Sequence, residues 1–250
     1  MNSSSDGCQC ALLTENCKML IKKLNAIFIH IPRNGGTSVC NFFVENKYVD
    51  RQPLRLADLD SFYGLLKLNN NVYELDHLFC AHLSQFLSPQ LIANLKTYSV
   101  VRDPVERLVS VYKRAAKESD FRSLAQRSRK GKITSFRSFL DSLEVVKGEG
   151  LFDIENLTEL PHFHFAHFFP QSFYLFDSQG EKLVDQIYSI KELSSLVADM
   201  MGVSSDKKIA LSRDNQGSTD IIIKKDEIIE ETPRIKELYK LDYVKLAEYF

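Results

Sequence analysis

The chain of 250 residues has a formal net charge of −1, with 44% hydrophobic and 26% charged residues. This is the composition of an ordinary globular protein that is large enough to form one substantial α/β core. A net charge so close to zero excludes a global attraction to nucleic acid or membranes, so any anion site must be local. No apolar stretch is long enough to cross a bilayer, and we expect neither a nucleic-acid partner nor a membrane span.

The first 24 residues are predicted to form a polar tail and a short helix, and residues 25–250 to form a single domain. The tail lacks the basic start and apolar core of a secretory signal. The five cysteines are an odd number, which does not suggest a disulfide framework, so we expect a cytoplasmic protein. Three of them, Cys8, Cys10 and Cys17, could bind metal together. Their spacing is not that of a zinc finger and no fourth ligand is nearby, so no metal site is predicted.

Predicted strands alternate with predicted helices along the chain. The strands are Ala26–Ile31, Tyr98–Val101, Phe173–Phe176 and Gln186–Ile190. The helices are Ser38–Asn46, Pro89–Leu95, Pro104–Lys117, Phe136–Leu143, Lys191–Met201 and Arg234–Tyr249. This order predicts an α/β fold, a P-loop-like three-layer domain whose central, mostly parallel sheet is flanked by helices. Ligands of such folds bind beyond the carboxyl ends of the strands.

The most informative segment, Ala26–Ser38, reads AIFIHIPRNGGTS. It predicts a buried strand, a tight loop and the first turn of a helix, which together form a site for a phosphate-like anion. Glycines let the backbone approach a ligand, hydroxyls donate hydrogen bonds and an arginine adds a fixed charge. The predicted ligand-binding residues are Arg33, Asn34, Gly35, Gly36, Thr37 and Ser38. The alternative is a plain connection in which the glycines only shape the turn.

A second anion site is predicted in Tyr98–Tyr112, which reads YSVVRDPVERLVSVY. Arg102 follows a strand and can pair bidentately with a phosphate, and Ser110 lies two turns into the next helix. Asp103 is the expected N-cap of that helix. Arg107 can pair with Asp103 or with Glu106 on the same helix. Because both anion sites follow a strand, they can face one crevice and bind a ligand with two separated phosphate-type groups.

Together, IFIHIPRNGGTS and SVVRDPVERLVSVY resemble the sulfotransferases that use 3′-phosphoadenosine 5′-phosphosulfate (PAPS), and most closely their carbohydrate branch, which includes the heparan and chondroitin enzymes. The resemblance covers the chain from about Asn25 to its end, and it implies a sulfotransferase domain over residues 25–250. It implies that the first loop binds the 5′-phosphosulfate, and that Arg102 and Ser110 bind the 3′-phosphate. PAPS is then the donor, adenosine 3′,5′-bisphosphate (PAP) is the product, and the acceptor is a hydroxyl of a carbohydrate or small molecule. No metal is implied.

Weaker matches lie further along the chain. Four segments resemble later family motifs: Phe79–Phe86, His167–Gln171, Leu211–Asn215 and Tyr239–Tyr249. Three positions depart from the family pattern: Arg33 replaces a lysine, Asn34 a threonine, and Ala81 the glycine before a histidine. Since arginine keeps its proton, Arg33 can neutralise charge and donate hydrogen bonds but cannot act as an acid.

The acceptor hydroxyl needs a general base, and His82 is the first candidate because histidine titrates near working pH and its position matches the family. The alternative is that His82 is a structural histidine. The phenylalanines between His162, His164 and His167 suggest an aromatic wall with polar tips rather than a metal site. His167 and Gln171 are possible acceptor contacts, His167 is a possible second base, and the remaining candidate bases are Glu74 and Asp76.

Other classes of protein share parts of this pattern. A nucleotide kinase or NTPase has the same strand–loop–helix phosphate site, but it needs a lysine after the second glycine and an aspartate for Mg²⁺, and neither is evident. A non-catalytic PAPS-binding protein keeps the fold without turnover. The basic stretch Lys113–Arg137 reads as a solvated loop or, alternatively, as a rim that attracts an anionic cofactor or acceptor.

Overall fold

A computed structural model describes residues 20–48, 65–68, 71–74, 77–85, 87–118, 121–150, 152, 165–204, 209–211 and 221–250. The strands of this part are β1 (Leu20–Ile21), β2 (Ala26–Ile29), β3 (Leu65–Leu68), β4 (Asn71–Glu74), β5 (Lys96–Val101) and β6 (Gln186–Ser189). The helices are α1 (Gly36–Glu45), α2 (Pro89–Ala93), α3 (Pro104–Glu118), α4 (Arg122–Ser128), α5 (Phe136–Gly148), α6 (Ser172–Leu175), α7 (Leu193–Met200), α8 (Lys225–Leu238) and α9 (Lys240–Leu246). Short 3-10 turns lie at Lys22–Leu24, Cys80–Gln85, Ile190–Glu192 and Ala247–Tyr249.

The central sheet has the strand order β1-β2-β5-β6. Strand β1 is antiparallel to β2, whereas β2 pairs with β5 and β5 with β6 in parallel, with Ile29 opposite Ser99. Strands β3 and β4 form a separate antiparallel pair. Since β2 and β5 are parallel neighbours, the loops that follow them leave the same edge of the sheet. These are the two loops for which the sequence predicts anion binding.

Helices cover both faces of this sheet because its strands are apolar on both sides. Ile27 and Ile29 of β2 point into the larger core, which also contains residues of α3, α5 and α8. Phe28 points the other way, into a second core that contains residues of α1 and α7. The predicted α/β fold with a mostly parallel central sheet between helices is therefore confirmed.

The predicted strand at Phe173–Phe176 is wrong, because the chain forms the short helix α6 at Ser172–Leu175. All four helix residues and Phe176 are buried, so their hydrophobicity carries no period that separates a strand from a helix. The helix is set by a distant group. The backbone N–H groups of Gln171 and Ser172 both donate to the carboxylate of Asp242, which caps the start of α6.

Other boundaries also differ from the sequence-based expectation. The predicted C-terminal helix is two helices that begin at Lys225 and break at Tyr239, whose backbone leaves helical values. Helix α4 lies within the basic stretch Lys113–Arg137, for which the sequence leaves open a solvated loop or a rim that attracts an anion. The pair Leu20–Ile21 is a strand, although the sequence predicts a tail and a short helix there. No helix in the described part of the chain is long and apolar enough to cross a membrane.

Candidate active site

The first predicted anion loop connects β2 to α1 and turns sharply. Arg33 and Gly35 both have left-handed backbone conformations, with φ of 69° and 82°. Such a conformation is uncommon for a residue other than glycine, so the surrounding structure must hold Arg33 in place. Within the described residues, no side chain caps the first turn of α1. The N–H of Ser38 donates to the carbonyl of Gly35 at 3.0 Å, so the N–H groups of Gly36 and Thr37 are the ones that can face an anion. Thr37 in this turn is exposed and Ser38 is half-buried.

The two glycines of the loop have close side-chain neighbours. A Cβ atom on Gly36 would lie 2.0 Å from Cδ2 of His30, and one on Gly35 would lie 3.0 Å from Cδ1 of Leu193. The sequence predicts that these glycines bring the backbone close to a ligand. The structure adds a packing reason for each of them. Gly36 leaves room for the imidazole of His30, and Gly35 leaves room for the side chain of Leu193.

Arg33 links the two predicted anion sites. Its Nε atom donates a hydrogen bond of 3.1 Å to the hydroxyl of Ser110, which lies 77 residues further along the chain on α3. The predicted cation of the phosphosulfate loop therefore lies beside the predicted hydroxyl of the 3′-phosphate site. This contact agrees with the expectation that both sites face one crevice.

Arg102 occupies the predicted position just beyond β5. Its Nε atom lies 3.2 Å from a carboxylate oxygen of Glu106, and 26% of its side chain is exposed. A pair this open contributes little to stability, so an anionic ligand can compete for the guanidinium. Asp103 accepts hydrogen bonds from the backbone N–H groups of Val105 and Glu106, which confirms it as the N-terminal cap of α3.

Asn34 and Gln171 bond to each other inside the protein. Nδ2 of Asn34 donates to Oε1 of Gln171 at 2.6 Å and to the backbone carbonyl of Val100 at 2.9 Å. Gln171 also accepts from the backbone N–H of Arg102 and donates to its carbonyl, at 2.9 Å and 2.7 Å. The exposed fraction of Asn34 is 1% and that of Gln171 is 0%. These two predicted ligand-binding residues therefore use their amide donors within the protein.

Asp242 of α9 is a fully buried carboxylate behind Gln171. It accepts hydrogen bonds from the backbone N–H groups of Gln171 and Ser172, at 3.0 Å and 2.8 Å, and from Nε2 of Gln171 at 3.3 Å. Burial raises the pKa of the Asp242 carboxyl above its usual range, and the backbone donors at Ser172 and Gln171 pull this pKa partly back. The carboxylate thus anchors the segment that carries Gln171.

Arg107 is buried, with 1% of its surface exposed. The sequence suggests a pair with Asp103 or Glu106, but the guanidinium donates to the backbone carbonyls of Pro32, Phe169 and His167. These bonds join the first anion loop to the segment His167–Gln171. They also place a fixed positive charge next to the first predicted anion loop, which favours an anionic ligand there.

Three imidazoles meet next to the first loop. The ring centroids of His30 and His77 are 4.8 Å apart, and those of His77 and His167 are 5.2 Å apart. Burial lowers the pKa of His167 to about 3, and the positive charges of Arg107, Arg33 and Arg114 act in the same direction, as does His77. His167 is therefore neutral at working pH, which is the form that can accept a proton.

His82, the predicted base, lies in a different environment. Its exposed fraction is 3%, and its ring stacks on Phe79, which in turn contacts Phe169 and Tyr174. These rings belong to the larger apolar core. The described contacts thus place His167 and His77 beside the first predicted anion loop and His82 against the aromatic core.

Several other predicted residues lie outside the described residues: Asp76, His162, His164, the end of Leu211–Asn215, and the cysteines Cys8, Cys10 and Cys17. Glu74 ends β4, where the backbone alone is described. Among the described residues, no group of His, Cys, Asp and Glu is arranged to hold a metal ion.

His30, His77 and Asp242 are residues of this site that the sequence pattern did not indicate. His30 interrupts the otherwise apolar strand segment AIFIHI, and that interruption is a signal that the sequence does contain. Asp242 lies on an amphipathic helix, where a carboxylate is expected to be exposed to solvent. The sequence pattern therefore did not predict that Asp242 is buried.

Comparison with known proteins gives one match. A family model described as the sulfotransferase family matches residues 19–245, which include both anion loops and the segment that carries Gln171. Among curated proteins and solved structures, none is similar enough to this chain to match it.

Proposed function

This chain belongs to the sulfotransferase family, and we propose that it transfers a sulfuryl group from PAPS to the hydroxyl of an acceptor. The observation that carries the proposal is the contact between Arg33 and Ser110, because it brings two predicted anion sites together at one edge of the sheet. A ligand with phosphate-type groups at both ends, such as PAPS or its product PAP, matches a pair of sites of this kind.

The residues present suit such a ligand. The uncapped N–H groups of α1, the hydroxyls of Thr37 and Ser38, and the guanidinium of Arg33 are the proposed site for the 5′-phosphosulfate. Arg102 and the hydroxyl of Ser110 are the proposed site for the 3′-phosphate. PAPS supplies the sulfuryl group when bound. Arg33 and the buried Arg107 offset negative charge at this edge, and no metal is part of the proposal.

We propose that the general base comes from the pair His77 and His167. The sequence favours His82, which remains the alternative. The two histidines lie beside the loop that is proposed to hold the phosphosulfate, whereas His82 stacks on the aromatic core. A neutral imidazole takes the proton that the acceptor hydroxyl loses on attack. An anion bound among Arg33, Arg107 and Arg114 raises the pKa of His167 and makes it a stronger base.

The acceptor class and the location are parts of the same proposal. We propose a carbohydrate or small-molecule hydroxyl as acceptor, and the resemblance of the motifs favours the carbohydrate branch. A cytoplasmic location is proposed because the cysteine count is odd. In the described part of the chain, neither Cys40 nor Cys80 forms a disulfide.

The decisive experiment measures binding of PAP and turnover of PAPS by the purified full chain. Calorimetry should show PAP binding without added metal, and Arg102→Ala and Ser110→Ala should each weaken it by about tenfold or more. Mass spectrometry should then detect a gain of one sulfuryl group on members of a panel of sugars and phenols. Binding of ATP with Mg²⁺ in place of PAP would favour the kinase alternative. Binding of PAP without turnover on any acceptor would favour a non-catalytic protein.

A further inference from the structure

Gln171 is completely buried, and its amide group bonds to both predicted anion sites at once. We propose that Gln171, held by Asp242, is a positioning residue that fixes the spacing between the two sites and so selects nucleotides that carry anionic groups at both ends. This inference rests on the proposed function, because it concerns the same nucleotide site. It assigns to Gln171 and Asn34 a role different from direct contact with a ligand.

On the side of the first loop, the connection runs through Asn34. Both hydrogens of its Nδ2 atom are used, one on Oε1 of Gln171 at 2.6 Å and one on the carbonyl of Val100 at 2.9 Å. Asn34 lies between Arg33 and Gly35, the residues with left-handed backbones. A side chain that ties this point of the loop to β5 therefore fixes the position of the whole turn relative to the neighbouring strand.

On the side of the second site, the connection runs through the backbone of Arg102. Oε1 of Gln171 accepts from the N–H of Arg102 at 2.9 Å, and Nε2 donates to its carbonyl at 2.7 Å. This paired contact fixes the backbone from which the Arg102 side chain extends. Gln171 does not constrain the guanidinium itself. It therefore fixes the backbone position of Arg102 and not the group that the guanidinium binds.

The chemistry of the contacts requires an amide at position 171. The oxygen faces two N–H donors, from Asn34 and Arg102, while the nitrogen faces the carbonyl of Arg102 and the carboxylate of Asp242. A glutamate has no donor for the carbonyl of Arg102 or the carboxylate of Asp242. An apolar side chain can form a hydrogen bond with none of the four groups. Asp242 further holds the backbone N–H groups of Gln171 and Ser172, which ties the amide to α9.

A fixed spacing matters only for a ligand that occupies both sites. When two sites are held at the correct separation, a ligand with two anionic ends engages both without reorganising the protein. When the separation varies, a two-ended ligand loses affinity, while a ligand with one phosphate still binds to either site alone. The positioning role therefore predicts a selective loss, which general destabilisation does not produce.

The test compares three nucleotides on folded variants of the full chain. Calorimetric Kd values are measured for PAP, adenosine 5′-monophosphate and adenosine 3′-monophosphate with the wild type, Gln171→Met and Asn34→Ala. Removing these buried hydrogen bonds should weaken PAP binding by about tenfold or more and change the affinity for each monophosphate by less than about threefold. Asn34→Ala removes only the first loop's side of the connection, which is the bonds of Asn34 to Gln171 and Val100. It replaces Gln171→Met in the test if that variant does not fold.

The matched control is Tyr239→Phe. It removes a buried hydrogen bond of 2.7 Å to the carbonyl of Phe168, in the same segment, without touching Gln171. Its PAP affinity should stay within about twofold of that of the wild type. Equal weakening of all three nucleotides, or an unchanged PAP affinity, in the variants of Gln171 and Asn34 overturns the positioning role. A wild type that does not prefer PAP to the monophosphates overturns the proposed function instead.

Discussion

Nε of Arg33 donates to the hydroxyl of Ser110 across 3.1 Å, so the cation of one proposed anion site is hydrogen-bonded to the hydroxyl of the other. The two residues come from the loop after β2 and from α3, and the parallel pairing of β2 with β5 brings these elements together. Because arginine has several donors in a rigid fork, Arg33 can hold Ser110 and still face an anion. A lysine has a single charged nitrogen at this point, so the change from the family residue affects both sites.

We therefore expect the contributions of Arg33 and Ser110 to PAP binding to be coupled. Arg33→Ala should weaken PAP binding by about 1.5–3 kcal/mol, and Ser110→Ala by about 1.4 kcal/mol or slightly more, which is about tenfold. The double variant should differ from the sum of the two by about 0.5 kcal/mol or more, as contacting residues usually do. Calorimetric titration of the four proteins gives this coupling. Lys96→Met at the opposite end of β5 is the control partner, and it should add to Arg33→Ala without coupling.

The titration of His167 provides a second prediction. With a pKa of about 3 in the free protein, its imidazole should stay neutral down to about pH 4, whereas an ordinary histidine titrates near 6.5. Since the unfolded chain takes up this proton below pH 6.5 and the folded chain does not, His167 should lower stability progressively as the pH falls below 6.5. NMR titration of the imidazole protons measures the pKa directly.

Bound PAP should raise the pKa of His167, because its phosphates offset the charges of Arg33, Arg107 and Arg114. His167→Asn should lower kcat at least about a hundredfold if this residue or its partner His77 is the base, with little change in PAP affinity. His82→Asn is the comparison, and it should affect stability more than kcat. A larger loss of kcat in His82→Asn than in His167→Asn would return the assignment to His82.

The sequence predicted the strand, loop and helix around each proposed anion site because each of these patterns is local. A strand end, glycines, an arginine and a helix start occur within about a dozen residues, and the alternation of strands and helices implied that both loops leave one edge. The contact between Arg33 and Ser110 fits that expectation. What the sequence could not show is that Asn34 is turned inwards, because its neighbours Val100 and Gln171 are distant along the chain.

The errors have a common physical origin in contacts between distant segments. Gln171 and Asp242 are 71 residues apart along the chain. Asp242 caps the start of α6, and Gln171 bonds to the backbone of Arg102. Residues that are buried on every side show no amphipathic period, so Phe173–Phe176 read as a strand. The three histidines beside the first loop also come from three separate segments, and no spacing rule connects His30 and His77 with His167.

The packing of His30 on Gly36 gives a third prediction. Gly36→Ala places a methyl group where the imidazole lies, 2.0 Å from Cδ2, so either the ring or the loop must move. We expect this variant to lose PAP affinity by about tenfold or more, since the displaced loop carries the proposed phosphosulfate site. Adding His30→Ala to Gly36→Ala removes the clash and should restore much of the affinity. Failure of this rescue would mean that the backbone of Gly36, and not the ring, sets the requirement.

A matched glycine variant separates this clash from a general effect of a methyl group. Gly148 ends helix α5, and a Cβ atom there would meet nothing within 4 Å. Gly148→Ala should keep PAP affinity unchanged and raise the free energy of unfolding by up to about 1 kcal/mol, because alanine favours the helix. Calorimetric Kd values and denaturant titrations test both variants side by side.

The last prediction concerns the ion pairs that join α5 to α8. Arg234 contacts the carboxylates of Asp141, Glu144 and Glu231, and Glu231 is 5% exposed. Loss of the guanidinium leaves this buried carboxylate with Arg137, at 2.6 Å, as its remaining ion-pair partner among the described residues. Arg234→Met should therefore lower the free energy of unfolding by about 1–3 kcal/mol and the Tm by about 2–10 °C.

Lys96→Met is the control for this prediction, because the pair of Lys96 with Asp199 is open to solvent, with 44% and 36% of the two side chains exposed. An exposed pair contributes about 1 kcal/mol or less, so the Tm should change by no more than about 3 °C. PAP affinity should stay unchanged in Arg234→Met, since the ion pairs of Arg234 are with Asp141, Glu144 and Glu231 and not with a residue proposed to bind PAP. Equal Tm values for the two variants would show that burial of Glu231 does not strengthen the network.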